Sequence, residues 1–172
     1  IEIDDPRMGA MKQIGHLATF RETPSRIQGP APDLGQHTQE VGAELARGGT
    51  GWSSPTFAAS SNGRVKTPLE GVTVLELASY YAAPFGATLL AELGARVIKI
   101  ERLGSGDPRR AMPPFAEGKG AKKAVGFMAY NRNKSSLAVD LRKPEGQEIL
   151  RRLMTGADVV VENLRPGSMD RM

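Results

Sequence analysis

The chain has 172 residues, 40% of them hydrophobic and 24% charged, a balance that suits a folded globular protein rather than a disordered one. Its net charge of +4 suits anionic ligands and is too small to argue for nucleic acid. The absence of cysteine excludes disulfides and thiolate metal sites and fits a cytoplasmic protein, and no apolar run is long enough to cross a bilayer.

The first residues, "IEIDDPRMGA", have neither the basic start nor the apolar core of a signal peptide. A start at Ile rather than Met reads as a piece cut from something longer. Residues 1–67 show no sustained periodicity, apart from an amphipathic stretch from Thr38 to Ala46 that stops at "RGG". "GGTGWSSPTFAASSNGRVKTP" (48–68) has linker composition.

The pattern becomes regular after Pro68. "VTVLEL" (72–77) predicts a strand, and "APFGATLLAELG" (83–94) a helix with Pro84 in its first turn and Gly94 as its stop. "ARVIKIE" (95–101) predicts a second strand. A looser, basic segment follows to about Lys123, with "GSGD" (104–107) read as a turn. "VGFMAYNRNK" (125–134) predicts a short helix entering a turn, and "SLAVDL" (136–141) a third strand. "PEGQEILRRLMTGA" (144–157) predicts a helix whose early acids and late arginines match its dipole. "DVVVENL" (158–164) predicts a fourth strand. The order β-α-β, basic excursion, β-α-β implies an α/β fold: a partial, Rossmann-like open parallel sheet of four strands, preceded by an extended tail and linker. Near-continuous apolar strands predict a sheet covered on both faces. Four strands make half a sheet, whose exposed edge needs a cover: a partner chain, a second copy, or residues 1–47. The methionines Met8, Met11, Met112, Met128 and Met154 read as core filler.

Open α/β sheets bind ligands outside the carboxyl ends of their strands. Those ends carry Tyr80, Tyr81, Arg102, Arg109, Arg110, Arg142, Lys143, Asn163, Arg165 and Arg171. From Arg102 to Lys134 there are eight Lys or Arg against two acids, Asp107 and Glu117. A rim of this kind predicts a phosphorylated ligand. The glycine fingerprints of NAD enzymes and P-loop enzymes are both absent. His16 and His37 are far apart, with no cysteine or acidic cluster nearby, so no metal site is expected.

Two long stretches carry a resemblance: "PLEGVTVLELASYYAAPFGATLLAELGARVIKIERLGSGDPRR" and "NRNKSSLAVDLRKPEGQEILRRLMTGADVVVENLRPGSMDRM". Residues 68–172 resemble the N-terminal part of the family III CoA-transferases (CaiB/BaiF), a group that includes formyl-CoA:oxalate and carnitine CoA-transferases and the α-methylacyl-CoA racemases. The resemblance implies coenzyme A bound as acyl-CoA, with a carboxylic acid as second substrate. It also implies a Rossmann-like sheet completed by distant parts of the chain, in interlocked dimers. Carried over, Tyr80, Tyr81 and Ala82 would line the CoA channel and Arg102 would meet the nucleotide phosphate or adenine end. Val139 and Arg142 would flank the adenosine, and Asn163, Leu164, Ser168, Arg171 and Met172 would continue that wall. Tyr81 stands where some transferases carry Gln, and Pro108 to Lys123 is longer and more basic than the usual loop.

The family's transferases use a nucleophilic aspartate, passing through an aspartyl-CoA thioester; its racemases use an aspartate and a histidine. The resemblance puts that aspartate after residue 172, so no catalytic residue is expected here and the fragment alone is expected to be inactive. The leading reading is part of a CoA-transferase moving CoA between an acyl-CoA donor and a carboxylic acid; the alternatives are an α-methylacyl-CoA racemase and a non-catalytic CoA-binding or scaffold unit of a tandem fusion. "HLATFRETPSRIQGPAPDLGQHTQEV" resembles the C-terminal end of the same family, which makes His37 structural. The implied organisation is a tandem fusion, with residues 1–47 the tail of a preceding unit, 48–67 a flexible linker and 68–172 the start of the next unit. A single-chain pseudo-dimer would then replace the interlocked homodimer.

Overall fold

The computed structural model describes residues 1–47 and 67–172. The linker expected over 48–67 falls, save for Thr67, outside the described residues. In chain order the elements are β1 (Glu2–Asp5), β2 (Gly9–Lys12), α1 (Thr38–Ala46), β3 (Thr73–Leu77), α2 (Ala82–Glu92), β4 (Arg96–Arg102), β5 (Phe115–Gly118), β6 (Ala121–Ala124), α3 (Val125–Tyr130), β7 (Lys134–Val139), α4 (Pro144–Thr155) and β8 (Val159–Glu162). Single 3-10 turns lie at Pro108–Ala111 and Met169–Arg171.

The four expected strands form one parallel sheet in the order β7-β4-β3-β8. Its register sets Thr73 beside Arg96, Val97 beside Lys134 and Val74 beside Val159. The chain steps outward from β3 to β4 to β7, then returns to lay β8 against the other side of β3. Alternation along the strands sends Leu75, Leu77, Ile98, Ile100, Leu137 and Val139 to one face, where Val41 and Leu45 of α1 and Leu150 and Leu153 of α4 cover them. The other face sets Val74 and Val97 against Ala87 and Ala91 of α2. Gly94 ends α2 at φ +99, and a Cβ there would lie 1.9 Å from the Thr67 hydroxyl, so the stop has to be glycine.

Coverage on both faces holds for β3, β4 and β7 but not for β8, whose Val159 and Val160 are exposed. The second face is also less apolar than expected. Glu76, Lys99, Glu101, Lys134 and Ser136 are all buried, and they bond to one another or to the segments over them.

Residues 1–47 supply the cover for the β7 edge. The Ser136 N–H donates to His37 Nδ1 (3.1 Å), the His37 N–H to the Ser136 carbonyl (3.0 Å), and the Ala138 N–H to Thr38 Oγ1 (3.1 Å). The amphipathic stretch at 38–46 is α1, fastened by a buried ion pair between Arg96 and Glu44 at 2.7 Å. Two antiparallel hairpins, β1–β2 and β5–β6, were not expected. At the first, Asp5 Oδ1 accepts from the Arg7 and Met8 N–H groups (2.8 and 3.0 Å). The second turns at Lys119 and Gly120, both at positive φ, the signature of a tight two-residue hairpin turn. They pack with α3 as a satellite cluster around Met8, Phe127 and Met128. Of the methionines read as core filler, Met112 and Met154 are exposed instead.

His37 gives the tail contact a pH dependence. Its nitrogen accepts a backbone N–H, so the neutral ring is the bonded form. Burial holds its pKa below the ordinary imidazole value; Glu40 partly offsets this and Arg96 adds to it. With the folded pKa depressed, the unfolded chain binds the extra proton first, so this contribution is intact above about pH 6.5 and fades as pH falls toward the folded value. We expect His37→Asn, which keeps an acceptor for the Ser136 N–H, to flatten the stability profile below about pH 6.5 in urea titrations. Equal slopes in the two proteins would refute this role.

Candidate functional site

The carboxyl ends of β3 and β8 flank the point where the strand order reverses, the position at which open α/β sheets bind ligands. Asn163 ties the two ends together: its Oδ1 accepts from the Ser79 N–H (2.9 Å) and its Nδ2 donates to the Ser79 carbonyl (2.8 Å). Tyr80 follows at φ +74, a conformation unusual for a large side chain, with its N–H donating to Asp107 Oδ1 (3.3 Å). Tyr80 and Tyr81 are each 46% exposed. The Tyr81 ring meets Tyr130 edge-on at 5.8 Å, and its residue caps α2 with no side-chain bond to the helix. Ala82 opens α2 and is exposed.

Arg102 ends β4 and is exposed, with no ion pair among the described residues. Val139 ends β7 with its side chain buried in the main core. Arg142 is exposed and lies against Asp140 at 2.8 and 2.9 Å. The hydrogen bonds from Arg142 hold the Asp140 carboxyl down at about 2. Leu164 and Met172 pack on the core, while the Arg171 guanidinium, exposed, donates to Ser168 Oγ (3.2 Å).

The basic rim is smaller than the sequence count implied, because five of the eight cations are matched by carboxylates, four of them by acids outside that stretch. Arg110 pairs with Glu101 (2.8 Å), Lys123 with Asp5 and Asp33, Arg132 with Glu92, Lys122 with Glu117 and Lys134 with Glu76. Of the eight cations between 102 and 134, Arg102, Arg109 and Lys119 keep no carboxylate partner among the described residues. Arg110 is therefore a correction to the expected rim. Burial alone would raise the Glu101 pKa, but its bonds from Arg110, Ser136 and the Asp107 N–H hold it below the carboxylate norm.

Beneath the rim lies a buried charge quartet that sequence reasoning missed. Lys99 Nζ reaches Glu76 Oε1 (2.7 Å), Asp107 Oδ2 (2.9 Å) and the Ala78 carbonyl (2.8 Å). Lys134 Nζ reaches Glu76 Oε2 (2.7 Å) and the Pro84 and Tyr130 carbonyls (both 2.8 Å). Burial opposes the charge on Lys99, yet Glu76 and Asp107 raise its pKa. Burial pushes Lys134 down to about 8, with Glu76 offsetting and Lys99 adding to the fall. Asp107 is the link to the surface, since it also accepts the Tyr80 and Arg109 N–H groups. "GSGD" is the turn it was read as, but its aspartate sets the backbone at the mouth of the site. Lone charges at alternating positions of apolar strands, Glu76 in "VTVLEL" and Lys99 in "RVIKIE", were the available signal.

Residues 69–172 match the family model described as CoA-transferase family III. The chain belongs to that family. It is 42% identical over 110 residues to the succinyl-CoA–D-citramalate CoA-transferase of Chloroflexus aurantiacus, covering 64% of this chain and 27% of that protein. It is 42% identical over 106 residues to the succinyl-CoA:glutarate CoA-transferase of Homo sapiens, covering 61% of this chain and 23% of that protein. Among solved structures, a CAIB/BAIF family protein from Brucella suis is similar at 45% identity and a TM-score of 0.57, over 62% of this chain and 28% of that one. The chain thus spans about a quarter of the length of the relatives it matches. Among the described residues, no helix is long and apolar enough to cross a membrane.

Proposed function

We propose that residues 68–172 form the CoA-facing half-sheet of a transferase that moves CoA between an acyl-CoA donor and a carboxylic acid. The observation that carries this reading is the set of exposed guanidinium groups, Arg102, Arg142 and Arg171, that follow or end β4, β7 and β8 on the carboxyl side of a parallel sheet in a chain of this family. Arg102 meets the phosphate or adenine end of CoA. Val139 and Arg142 flank the adenosine, with Arg142 exchanging its exposed Asp140 pairing for the ligand. Tyr80, Tyr81 and Ala82 line the thiol-bearing arm, and Asn163, Leu164, Ser168, Arg171 and Met172 continue the wall.

The reaction runs through an aspartate supplied from outside residues 1–172. Its carboxylate attacks the thioester carbonyl and expels CoA thiolate, giving a mixed anhydride. The thiolate then attacks the aspartyl carbonyl and releases the donor acid, leaving an aspartyl-CoA thioester. The acceptor carboxylate repeats the two steps in reverse, and the aspartate is restored. The succinyl-CoA relatives support dicarboxylic acids as substrates. The docking of residues 1–47 on the sheet supports a fusion in which the tail of one unit caps the next, giving a pseudo-dimer. A full reading frame with one family unit would refute that organisation.

The test is titration of the 172-residue chain with CoA, followed by amide NMR. With the site incomplete, the expected Kd is between about 100 µM and 1 mM. Arg102→Ala and Arg171→Ala should each weaken it about threefold to tenfold. Dephospho-CoA should erase the Arg102 effect if that residue reads the 3′-phosphate. CoA that moves none of the amides at 80–82, 102, 142 or 163–172 would sink the reading, and micromolar or tighter binding would overturn the incompleteness of the site.

A further inference from the structure

A continuous run of hydrogen bonds joins residues 1–47 to the turn at Tyr80. It starts at two groups of the tail. The Pro32 carbonyl accepts from Arg110 Nη1 and Nη2 (both 3.1 Å), and the Gly35 N–H donates to Ser136 Oγ (2.9 Å). Arg110 and Ser136 converge on Glu101, which is 4% exposed. Glu101 Oε1 accepts from Arg110 Nε (2.8 Å) and from the Asp107 N–H (3.0 Å). Its Oε2 accepts from Arg110 Nη2 (2.8 Å) and from the Ser136 hydroxyl (2.6 Å). Asp107 Oδ1 in turn accepts the Tyr80 N–H (3.3 Å). Gly106, at φ +67, permits the close approach: a Cβ there would lie 3.0 Å from both Glu101 Oε1 and Arg110 Cδ.

The far end of this run is strained. Tyr80 at φ +74 is disfavoured by about tenfold against backbone of negative φ. Side chains hold the residues before it: Lys99 Nζ donates to the Ala78 carbonyl, and Asn163 bonds both backbone groups of Ser79. The turn therefore has two arrangements, one held by Asp107 and one relaxed at Tyr80. The place of Asp107 decides between them, and Glu101 fixes that place from a position the tail completes. We propose that residues 32–35 are a working part of the CoA site, with Glu101 and Arg110 as positioning residues that act through Asp107 on Tyr80. This rests on the CoA-transferase reading and adds to it a control of the site by the tail. CoA that favours the held turn favours the docked tail by the same factor.

The experiment compares the 172-residue chain with its Arg110→Lys, Ser136→Ala and Val41→Ala variants by NMR, each with and without CoA. A strong intraresidue cross-peak between N–H and Hα marks positive φ at Tyr80 and is read without ligand. Arg110→Lys keeps a charge for Glu101 but loses the fork that also reaches Pro32. Its Tyr80 cross-peak should weaken, and CoA should bind about threefold to tenfold more weakly. CoA shifts at residues 80–82 should shrink while those at 142 and 163–172 persist. Ser136→Ala, which cuts the link to Gly35, should act in the same direction. Val41→Ala lowers stability from α1, outside this run of bonds, and should change neither signal. In the unsubstituted chain CoA should slow exchange of the Gly35 N–H by about the same threefold to tenfold, and in Arg110→Lys it should not. An unchanged Tyr80 cross-peak in Arg110→Lys would overturn the proposal. So would its equal loss in Val41→Ala, or rim amides that respond to CoA while Gly35 exchange does not. CoA that shifts no amide would remove the CoA reading, and the Tyr80 cross-peak would still decide whether the tail positions the turn.

Discussion

Replacing Lys99 by methionine is expected to lower the unfolding free energy of this chain by about 3–5 kcal/mol at pH 7. Lys99 is fully buried and bridges Glu76 and Asp107, which are themselves buried. Methionine fills much of the same volume, so the loss is not that of a cavity. It comes from leaving two carboxylates to one ammonium, that of Lys134, which burial already pushes down to about 8. The double variant Lys99→Met with Asp107→Asn removes one charge of each sign and returns the site to neutrality. An asparagine Oδ1 still accepts the Tyr80 and Arg109 N–H groups that Asp107 Oδ1 holds. The double variant should therefore be more stable than the sum of the single changes, with a coupling of about 1–3 kcal/mol. Urea unfolding followed by far-UV circular dichroism measures both. A single-variant loss under about 1 kcal/mol would show that the quartet does not hold the sheet.

The same quartet shows where sequence reading succeeds and where it stops. The strands and helices of 68–172 were legible because apolar, β-branched runs alternate with amphipathic stretches bounded by Gly and Pro. The stretch at Thr38–Ala46 was legible as amphipathic, and the structure makes it a helix. The hairpins were not, since their strands have four residues each and β5–β6 reads as charge and glycine. Charge balance failed more instructively. Counting cations between Arg102 and Lys134 against local acids overstated the rim, because the matching acids are Asp5, Asp33, Glu76, Glu92 and Glu101, brought in by the fold. The strand-end residues Tyr80, Tyr81, Arg102 and Asn163 do gather at the carboxyl edge. Whether a cation there is free depends on contacts with these acids, 9 to 118 positions away in sequence, and no local pattern carries that.

Asn133→Ala is the second change with a large expected effect, about 3–5 kcal/mol. Asn133 precedes β7 and is 6% exposed. Its Oδ1 accepts from the Gln28 and Gly29 N–H groups (2.7 and 3.0 Å), and its Nδ2 donates to the Arg26 carbonyl (2.7 Å). One side chain thus fastens residues 26–29 onto the domain that follows. Alanine leaves those groups without partners, and it must also adopt φ +62, which asparagine tolerates and alanine does not. Asn133→Gly separates the two effects: it loses the same bonds but not the backbone preference, so it should be about 1 kcal/mol less damaging than alanine. Hydrogen exchange then decides what the fastening secures. Residues 1–47 contribute Val41 and Leu45 to the main core and the cover of the β7 edge. Protection should therefore fall in α1 and in β7 together. Loss confined to residues 1–33, with α1 still protected at the level of the sheet, would show instead that the tail divides, its helix belonging to the core and its hairpin standing apart.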